Sequence, residues 1–203
     1  MNQMNKRFRG FLPVVIDVEA GGFNSKKDAL LEIAAIFIEM DEKGVVYPGE
    51  SLSHHVIPFK GSNLDPKALE FNKIDPFHPF RFAVNEEEAL SELFNAIDVV
   101  LQRTNCHRAV LVGHNAWFDL GFVVASSKRC KYKKIPFHSF TSFDTATLSG
   151  LIYGQTVLAK ALKAAQIPYD VNEAHSALYD AKCTAELFCE IVNQYRHLGG
   201  WPR

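Results

Sequence analysis

The stretch of sequence that decides the fold reads Phe11-Leu12-Pro13-Val14-Val15-Ile16-Asp17-Val18-Glu19-Ala20-Gly21-Gly22-Phe23. Its apolar run is rich in β-branched residues and ends at two glycines, which predicts a β-strand stopped by a turn. Side chains alternate between the faces of a strand, so Asp17 and Glu19 point to the same face. Two buried carboxylates this close repel each other and lose hydration, which a bound cation would offset. Two solvated acids at a strand end would give the same pattern.

The composition indicates one globular domain over residues 1–203. The chain is 47% hydrophobic and 22% charged, enough to bury a sizeable core. No apolar run approaches the ~20 residues that span a bilayer, and no hydrophobic signal region follows the N-terminus, so we expect no membrane contact and no secretion. The four cysteines form neither a Cys-x-x-Cys pair nor a zinc-type spacing, which predicts reduced thiols in a cytoplasmic protein.

The net charge of −1 does not indicate a nucleic-acid partner, but the charges are segregated. Basic residues cluster at Lys6, Arg7 and Arg9 and again between Lys128 and Lys134, whereas acids concentrate between residues 86 and 98. Such clusters can present a local basic patch to phosphates. A solvated helix end gives the same pattern.

The remaining segments predict a mixed sheet flanked by helices. Apolar runs at Ala29–Met40 and His54–Phe59 predict two more strands, which with the first would form an antiparallel meander. From there on, helical patterns alternate with a compact strand at Ala109–Val112, and a last helix runs from about Ser176 to Tyr195. The order of elements favours a single α/β domain.

Three more polar residues stand out by context. Asp119 begins a helix just after a strand, and Asp180 lies early in the last helix, five residues after His175. Carboxylates at strand ends and helix starts converge on one rim of a sheet. Oxygen donors without cysteine suit Mg²⁺ or Mn²⁺ better than zinc, and an imidazole beside them is a natural general base for an attacking water. Taken singly, each acid also fits a surface helix.

Three motifs make the sequence resemble the DEDDh exonuclease superfamily. They are Asp-x-Glu at Asp17–Glu19, His-Asn-x-x-Phe-Asp at His114–Asp119, and His-x-Ala-x-x-Asp at His175–Asp180. The resemblance implies a ribonuclease H-like exonuclease fold and 3′→5′ cleavage of phosphodiester bonds. It also implies that Asp17, Glu19, Asp119 and Asp180 bind two Mg²⁺ ions per subunit, with Mn²⁺ as an alternative, and that His175 is the general base.

From Arg7 to Arg203 the chain is similar to one exoribonuclease family of that superfamily. Its signatures include Arg-Phe-Arg-Gly-Phe near the start and Leu-Gly-Gly-Trp-Pro near the end. The resemblance implies trimming of single-stranded 3′ ends of tRNA and other stable RNAs, activity on single-stranded DNA as well, and a homodimer. By position, the phenylalanines that stack on the 3′-terminal bases would be Phe23, Phe71, Phe118 and Phe140. The basic residues that hold the substrate would be Arg7, Arg9, Arg108, Lys128, Lys131 and Lys133.

Three alternatives remain open. A DNA proofreading or repair exonuclease would carry the same motifs, because nothing in the sequence reads the 2′-hydroxyl group. A catalytically inactive binding module would normally have lost at least one of the five motif residues, and all five are present. A small-molecule metallohydrolase would need no aromatic surface for bases.

The assignment of the four phenylalanines has an alternative as well, because most of the 16 phenylalanines of the chain must belong to the core.

Overall fold

The computed structural model describes residues 4–200. In chain order its elements are α1 (Met4–Arg7), β1 (Phe11–Ala20), β2 (Leu30–Met40), β3 (Val46–His55), α2 (Pro66–Asn72), a 3-10 turn (Pro79–Arg81), α3 (Glu86–Thr104), β4 (Arg108–Gly113), α4 (Trp117–Arg129), β5 (Phe137–Asp144), α5 (Thr145–Tyr153), α6 (Leu158–Ala164) and α7 (Ala177–His197).

The five strands form one mixed sheet in the order β3-β2-β1-β4-β5. Strands β1, β2 and β3 are antiparallel neighbours, while β4 and β5 run parallel to β1 and to each other. The ends of β1, β4 and β5 and the start of β2 therefore meet along one side of the sheet, which we call the carboxyl edge. This confirms the antiparallel meander and the α/β class.

Helices pack on the sheet because the apolar side chains of its strands must be buried away from water. Helix α7 packs along β1, β2 and β3, and α3 and α4 pack against β1 and β4. Ile16 of β1, Phe122 of α4 and Phe188 of α7 are completely or almost completely buried in the shared core. The core fixes the starts of α4 and α7 relative to the end of β1, which positions the motif residues.

Two strands at the sheet margins differ from the sequence-based expectation. The strand predicted at His54–Phe59 is wrong: β3 runs from Val46 to His55, and only Val56 beyond it makes an isolated bridge. Strand β5 was not predicted at all. Both are edge strands with polar, half-exposed sequences, and Pro48 in β3 is tolerated because an edge strand leaves some N–H groups unpaired.

Candidate active site

Strand β1 carries the first two acids of the site. Asp17 and Glu19 alternate with the buried Ile16 and Val18, as the period of a strand requires. Glu19 lies opposite Glu32 of β2 in the antiparallel register. The two acids therefore share one face near the end of β1, at the carboxyl edge.

The start of α4 brings Asp119 to the same place. Its Oδ1 accepts a hydrogen bond of 3.0 Å from the backbone N–H of Val18, between the two acids of β1. Gly113 at the end of β4 allows this approach, because a Cβ there would lie 2.9 Å from Asp119 Oδ2. The β4–α4 connection thus needs a residue without a side chain.

The start of α7 contributes His175 and Asp180. The backbone N–H of His175 donates to Asp180 Oδ2 at 2.9 Å, and His175 has a left-handed backbone (φ 68°) that is unusual for a residue other than glycine. One carboxylate oxygen each of Glu19 and Asp180 and one ring nitrogen of His175 lie within 4.8 Å of one another. The third motif is thereby joined to the first.

Burial raises the pKa of every acid in this group, and repulsion by the neighbouring acids raises the pKa of Asp17 and Glu19 further. Burial, followed by the charges of Asp119 and Glu19, raises the pKa of Asp17 well above its usual range. Burial and the charge of Asp180 raise the pKa of Glu19 to about 8. Burial likewise raises the pKa of Asp119 to about 8, against the hydrogen bond from Val18. It also raises the pKa of Asp180, against the hydrogen bond from His175.

These residues fit a divalent cation. Asp180 Oδ1 is buried and makes no hydrogen bond with any residue in the described range 4–200. A buried carboxylate oxygen without a donor is costly, and a cation would satisfy it. The donors are carboxylates and one imidazole without cysteine, a set that suits Mg²⁺ or Mn²⁺.

An aromatic cleft of about 410 Å³ adjoins the acids. Its walls include Phe23, Phe71 and Phe118 together with Glu19. The rings of Phe23 and Phe71 are 83% and 65% exposed, so neither belongs to the core. The centroid of the Phe71 ring lies 4.1 Å from that of His175, which joins the cleft to the acids.

Phe140 is not brought to this cleft. It lies on β5, 83% exposed, with its ring centroid 4.5 Å from His138, and His138 in turn contacts Phe11 at the start of β1. Within one chain, then, three of the four predicted phenylalanines lie together and the fourth lies apart.

The predicted basic residues also lie away from the cleft. Arg7 and Arg9 precede β1, and Arg108 begins β4 opposite Phe11, on the side of the sheet away from the carboxyl edge. Lys128 is at the end of α4. Lys131 and Lys133 follow that helix.

Arg129, within the same basic tract, has a structural role. Its guanidinium donates to both carboxylate oxygens of Glu86 at 2.7 and 2.9 Å, and it lies 4.1 Å from the centroid of the Phe59 ring. The Arg129 side chain is therefore held by Glu86 and Phe59 of its own chain.

Sequence reasoning missed two polar residues beside the acids. Glu32 accepts a 3.2 Å hydrogen bond from the backbone N–H of Ala177 at the start of α7, and its other oxygen lies 2.9 Å from His55 Nδ1. Asn72 is buried and donates to the carbonyl of Ala20 at 3.1 Å. The only signal for Glu32 was an acid inside an apolar strand, and for Asn72 there was none.

Two other polar residues have structural roles. Asp144 caps α5 by accepting the N–H of Ala146 at 2.8 Å. His114 Nε2 lies 2.8 Å from the carbonyl of Thr156, and its Nδ1 lies 3.0 Å from Thr145 Oγ1. Burial lowers the pKa of His114, which fits a neutral ring that joins the β4–α4 connection to α5 and α6.

Comparison with solved structures supports the fold. The structure is similar to Escherichia coli exonuclease I in complex with a dT13 oligonucleotide, with a TM-score of 0.70, 18% identity, and coverage of 93% of this chain and 42% of that chain. It is also similar to a 3′-exonuclease described as recognising the histone mRNA stem-loop, with a TM-score of 0.70, 16% identity, and coverage of 90% and 64%. The chain thus spans under half of the first protein and about two thirds of the second.

Sequence comparison is more specific. Residues 14–188 match the family described as "Exonuclease". The chain is 58% identical over 200 residues to ribonuclease T of Vibrio parahaemolyticus, covering 98% of this chain and 94% of that protein. It is 57% identical over 201 residues to ribonuclease T of Photorhabdus laumondii, covering 99% and 93%. On these matches the chain belongs to the exonuclease family and, within it, to ribonuclease T.

Proposed function

We infer that this protein is a 3′→5′ exoribonuclease, and we propose that its acids bind two Mg²⁺ ions per subunit while its cleft holds the 3′-terminal nucleotides. The observation that carries the proposal is the group of buried and half-buried acids with raised pKa values next to exposed aromatic rings. A metal-dependent nuclease for unpaired ends needs both features in one place. The substrates we propose are the 3′ ends of tRNA and other stable RNAs.

The reaction assigns each residue one task. When bound, divalent cations supply positive charge for the attacking and leaving oxygens. Asp17, Glu19, Asp119 and Asp180 would hold those cations, and His175 would accept a proton from the attacking water. Water attacks the last phosphodiester, the 3′-oxygen of the preceding nucleotide leaves, and a nucleoside 5′-monophosphate is released.

The cleft supports a preference for unpaired ends. Aromatic faces stack on single-stranded bases at about 1–3 kcal/mol per base and tolerate any base identity. Phe23 at the β1–β2 turn and Phe118 at the start of α4 are both close to metal-site residues in sequence. Their ring centroids are 6.0 Å apart at an angle of 63°, and Phe118 in turn packs on Phe122 of the core.

Matched RNA and DNA strands test the proposal. Each strand would form a stem with a 3′ overhang, labelled at the 3′ end, and would be incubated with Mg²⁺. We expect labelled nucleoside 5′-monophosphates to be released from the RNA overhang, and the trimming to stop near the stem. Removing Mg²⁺ with a chelator should abolish the release and the trimming. Efficient cleavage of the DNA strand with little cleavage of RNA would instead favour a DNA repair exonuclease.

We further propose that residues 1–203 act as one exonuclease domain in a cytoplasmic homodimer. The predicted basic residues and Phe140 are remote from the cleft of their own chain, and the second subunit of a two-fold dimer would bring its copies of them to this cleft. Within residues 4–200, no helix is long and apolar enough to cross a membrane.

A further inference from the structure

Three exposed phenylalanines play no part in the proposed reaction. Phe77 and Phe80 are each 75% exposed and Phe82 is 83% exposed. All three lie on residues 73–84, between α2 and α3, which we call the aromatic loop. Rings of this size are normally buried, so three exposed within six residues indicate a binding surface.

The aromatic loop is fixed at the carboxyl edge at both ends. Asn72, immediately before it, donates to the carbonyl of Ala20, the residue after Glu19. Arg81 donates from its guanidinium to the carbonyl of Leu31 at 2.8 Å. Leu31 precedes the residue that pairs with Glu19 in the sheet. Both anchors thus lie beside the acids.

These anchors limit how far the rings can be from the active site. Phe77 is five residues from Asn72 and four from Arg81, so the extended chain allows at most about 18 Å to the first anchor. Phe71 of the aromatic cleft precedes Asn72 directly. The aromatic loop therefore begins where this wall of the cleft ends, at Asn72.

The loop is ordered by its own polar contacts, not by burying its rings. The N–H of Phe80 donates to His78 Nδ1 at 3.3 Å, and Arg81 also donates to the carbonyl of Pro76. Phe82 has a left-handed backbone (φ 49°), which glycine or asparagine would adopt with less strain than a bulky residue. A phenylalanine at this position serves no packing purpose that the structure shows.

The arrangement of the rings favours nucleic acid as the occupant. None of the three rings packs on another within the described part of the chain, and proline, histidine and arginine residues separate them. Separate aromatic faces interleaved with polar residues are typical of single-stranded nucleic-acid surfaces, whereas protein interfaces have a contiguous apolar centre. Exposed Lys67 and Lys73, at the two ends of α2, balance the exposed acids Glu70 and Asp75, so the net charge of this segment does not oppose an RNA strand.

We propose that the aromatic loop stacks on unpaired RNA nucleotides that lie upstream of those held in the cleft. This rests on the proposed exoribonuclease function. It predicts that affinity increases when a single-stranded RNA is long enough to reach from the cleft to the loop.

Binding of short and long RNA tests the proposal. An Asp17→Asn background would prevent cleavage, and the RNAs would be single strands of about 3 and about 12 nucleotides. Changing all three phenylalanines to leucine keeps the surface apolar but removes its aromatic faces. We expect this variant to bind the long RNA at least about tenfold more weakly and the short RNA normally. Changing all three to tyrosine should preserve the affinity for long RNA.

Other outcomes would overturn the proposal. Unchanged affinity for long RNA would show that the loop does not bind RNA, and equal loss for both lengths would show that it only supports the cleft. A change from dimer to monomer, measured by sedimentation, would make the loop a subunit interface. Leu151→Ser, an exposed apolar residue on α5, is the matched surface control.

A further measurement separates this proposal from the exoribonuclease function. The leucine variant with Asp17 restored should still release 5′-monophosphates from the short RNA. If the protein with its natural sequence releases none, the function itself is wrong. If the triple variant melts at a lower temperature, Phe80→Leu alone repeats the binding test.

Discussion

Asp17, Glu19, Asp119 and Asp180 come from three separate elements and are packed closely enough to disturb one another's ionisation. Burial removes their hydration, and each negative charge opposes its neighbours. Without a cation, the folded chain should therefore favour the protonated acids, although the cation-bound site requires the ionised ones. This conflict gives two residue-scale predictions.

The metal-free protein should lose stability as the pH rises. The pKa of Glu19 is raised from 4.5 to about 8, so between these values the folded chain binds more protons than the unfolded chain. The free energy of unfolding then falls as the pH rises through this window. We expect the melting temperature in a chelator to fall by roughly 5 °C or more from about pH 5 to pH 8, and Mg²⁺ to reverse the fall.

Asp17→Asn should flatten this pH dependence and stabilise the metal-free protein, while lowering turnover by several orders of magnitude. Asp98→Asn, which changes an exposed acid on α3, is the control and should leave the melting curves and turnover unchanged. If Asp17→Asn retains near-normal turnover with Mg²⁺, the assignment of Asp17 as a metal ligand is wrong.

His175→Ala should lower kcat by roughly 10²–10⁴-fold and leave RNA binding intact, because the task we propose for His175 is proton transfer. Its ring also contacts Phe71, so binding of single-stranded RNA must be measured beside turnover. A loss that appears only in RNA affinity would make His175 a contact residue instead of a base.

At the scale of elements, the start of α7 depends on strand β2. Ser176 precedes the helix but makes no side-chain cap, and Glu32 accepts the N–H of Ala177 instead. The first turn of this helix carries Asp180, and His175 lies just before it. We therefore expect Glu32 to position both His175 and Asp180 through this hydrogen bond.

Glu32→Ala should lower kcat by about tenfold or more with little change in KM, because the start of α7 loses its acceptor while the aromatic cleft is untouched. Glu32→Gln keeps a side-chain oxygen and should recover most of the activity. Glu39→Ala is a matched control on the same strand, where Glu39 accepts from Tyr47 and Arg103 at the surface. Equal losses in the alanine and glutamine variants would exclude positioning through this hydrogen bond.

The elements differ in how far the sequence could predict them. The alternation of Asp17 and Glu19 with buried neighbours was readable, because the period of a strand alone determines it. The register that places Glu32 opposite Glu19 was not readable, because it depends on how β1 and β2 pair. Strand β5 was missed because an edge strand lacks the apolar run that marks a central one. The sequence gives residue spacing within an element, whereas contacts between elements need the fold.

At the scale of the whole molecule, the basic residues predicted to hold RNA lie away from the carboxyl edge of the sheet, where the acids are. Phe11, which pairs with Arg108, is eight residues before Glu19 along β1, or about 25 Å. Lys128 is nine residues beyond Asp119 along α4, or about 13 Å, with Lys131 and Lys133 farther on. At these distances the side chains of Arg108, Lys128, Lys131 and Lys133 are too far away to contact the phosphate that the acids of the same chain would cleave.

Two inactive variants can therefore complement each other if the protein is a dimer that binds RNA across subunits. One variant is Asp17→Asn, and the other replaces Arg108, Lys128, Lys131 and Lys133 with alanine but retains Arg129, which pairs with Glu86. Each contact in a two-fold dimer occurs twice, so an exchanged heterodimer has one intact acid group facing one intact basic patch. We expect the mixture to regain part of the natural turnover. For each tenfold rise in salt concentration, the association constant for RNA should fall by roughly 0.7 log units per neutralised phosphate. Separately labelled subunits would verify the exchange, and each variant incubated alone is the control. A mixture that stays as inactive as its parts, or a protein that sediments as a monomer, would show that each chain binds its own RNA.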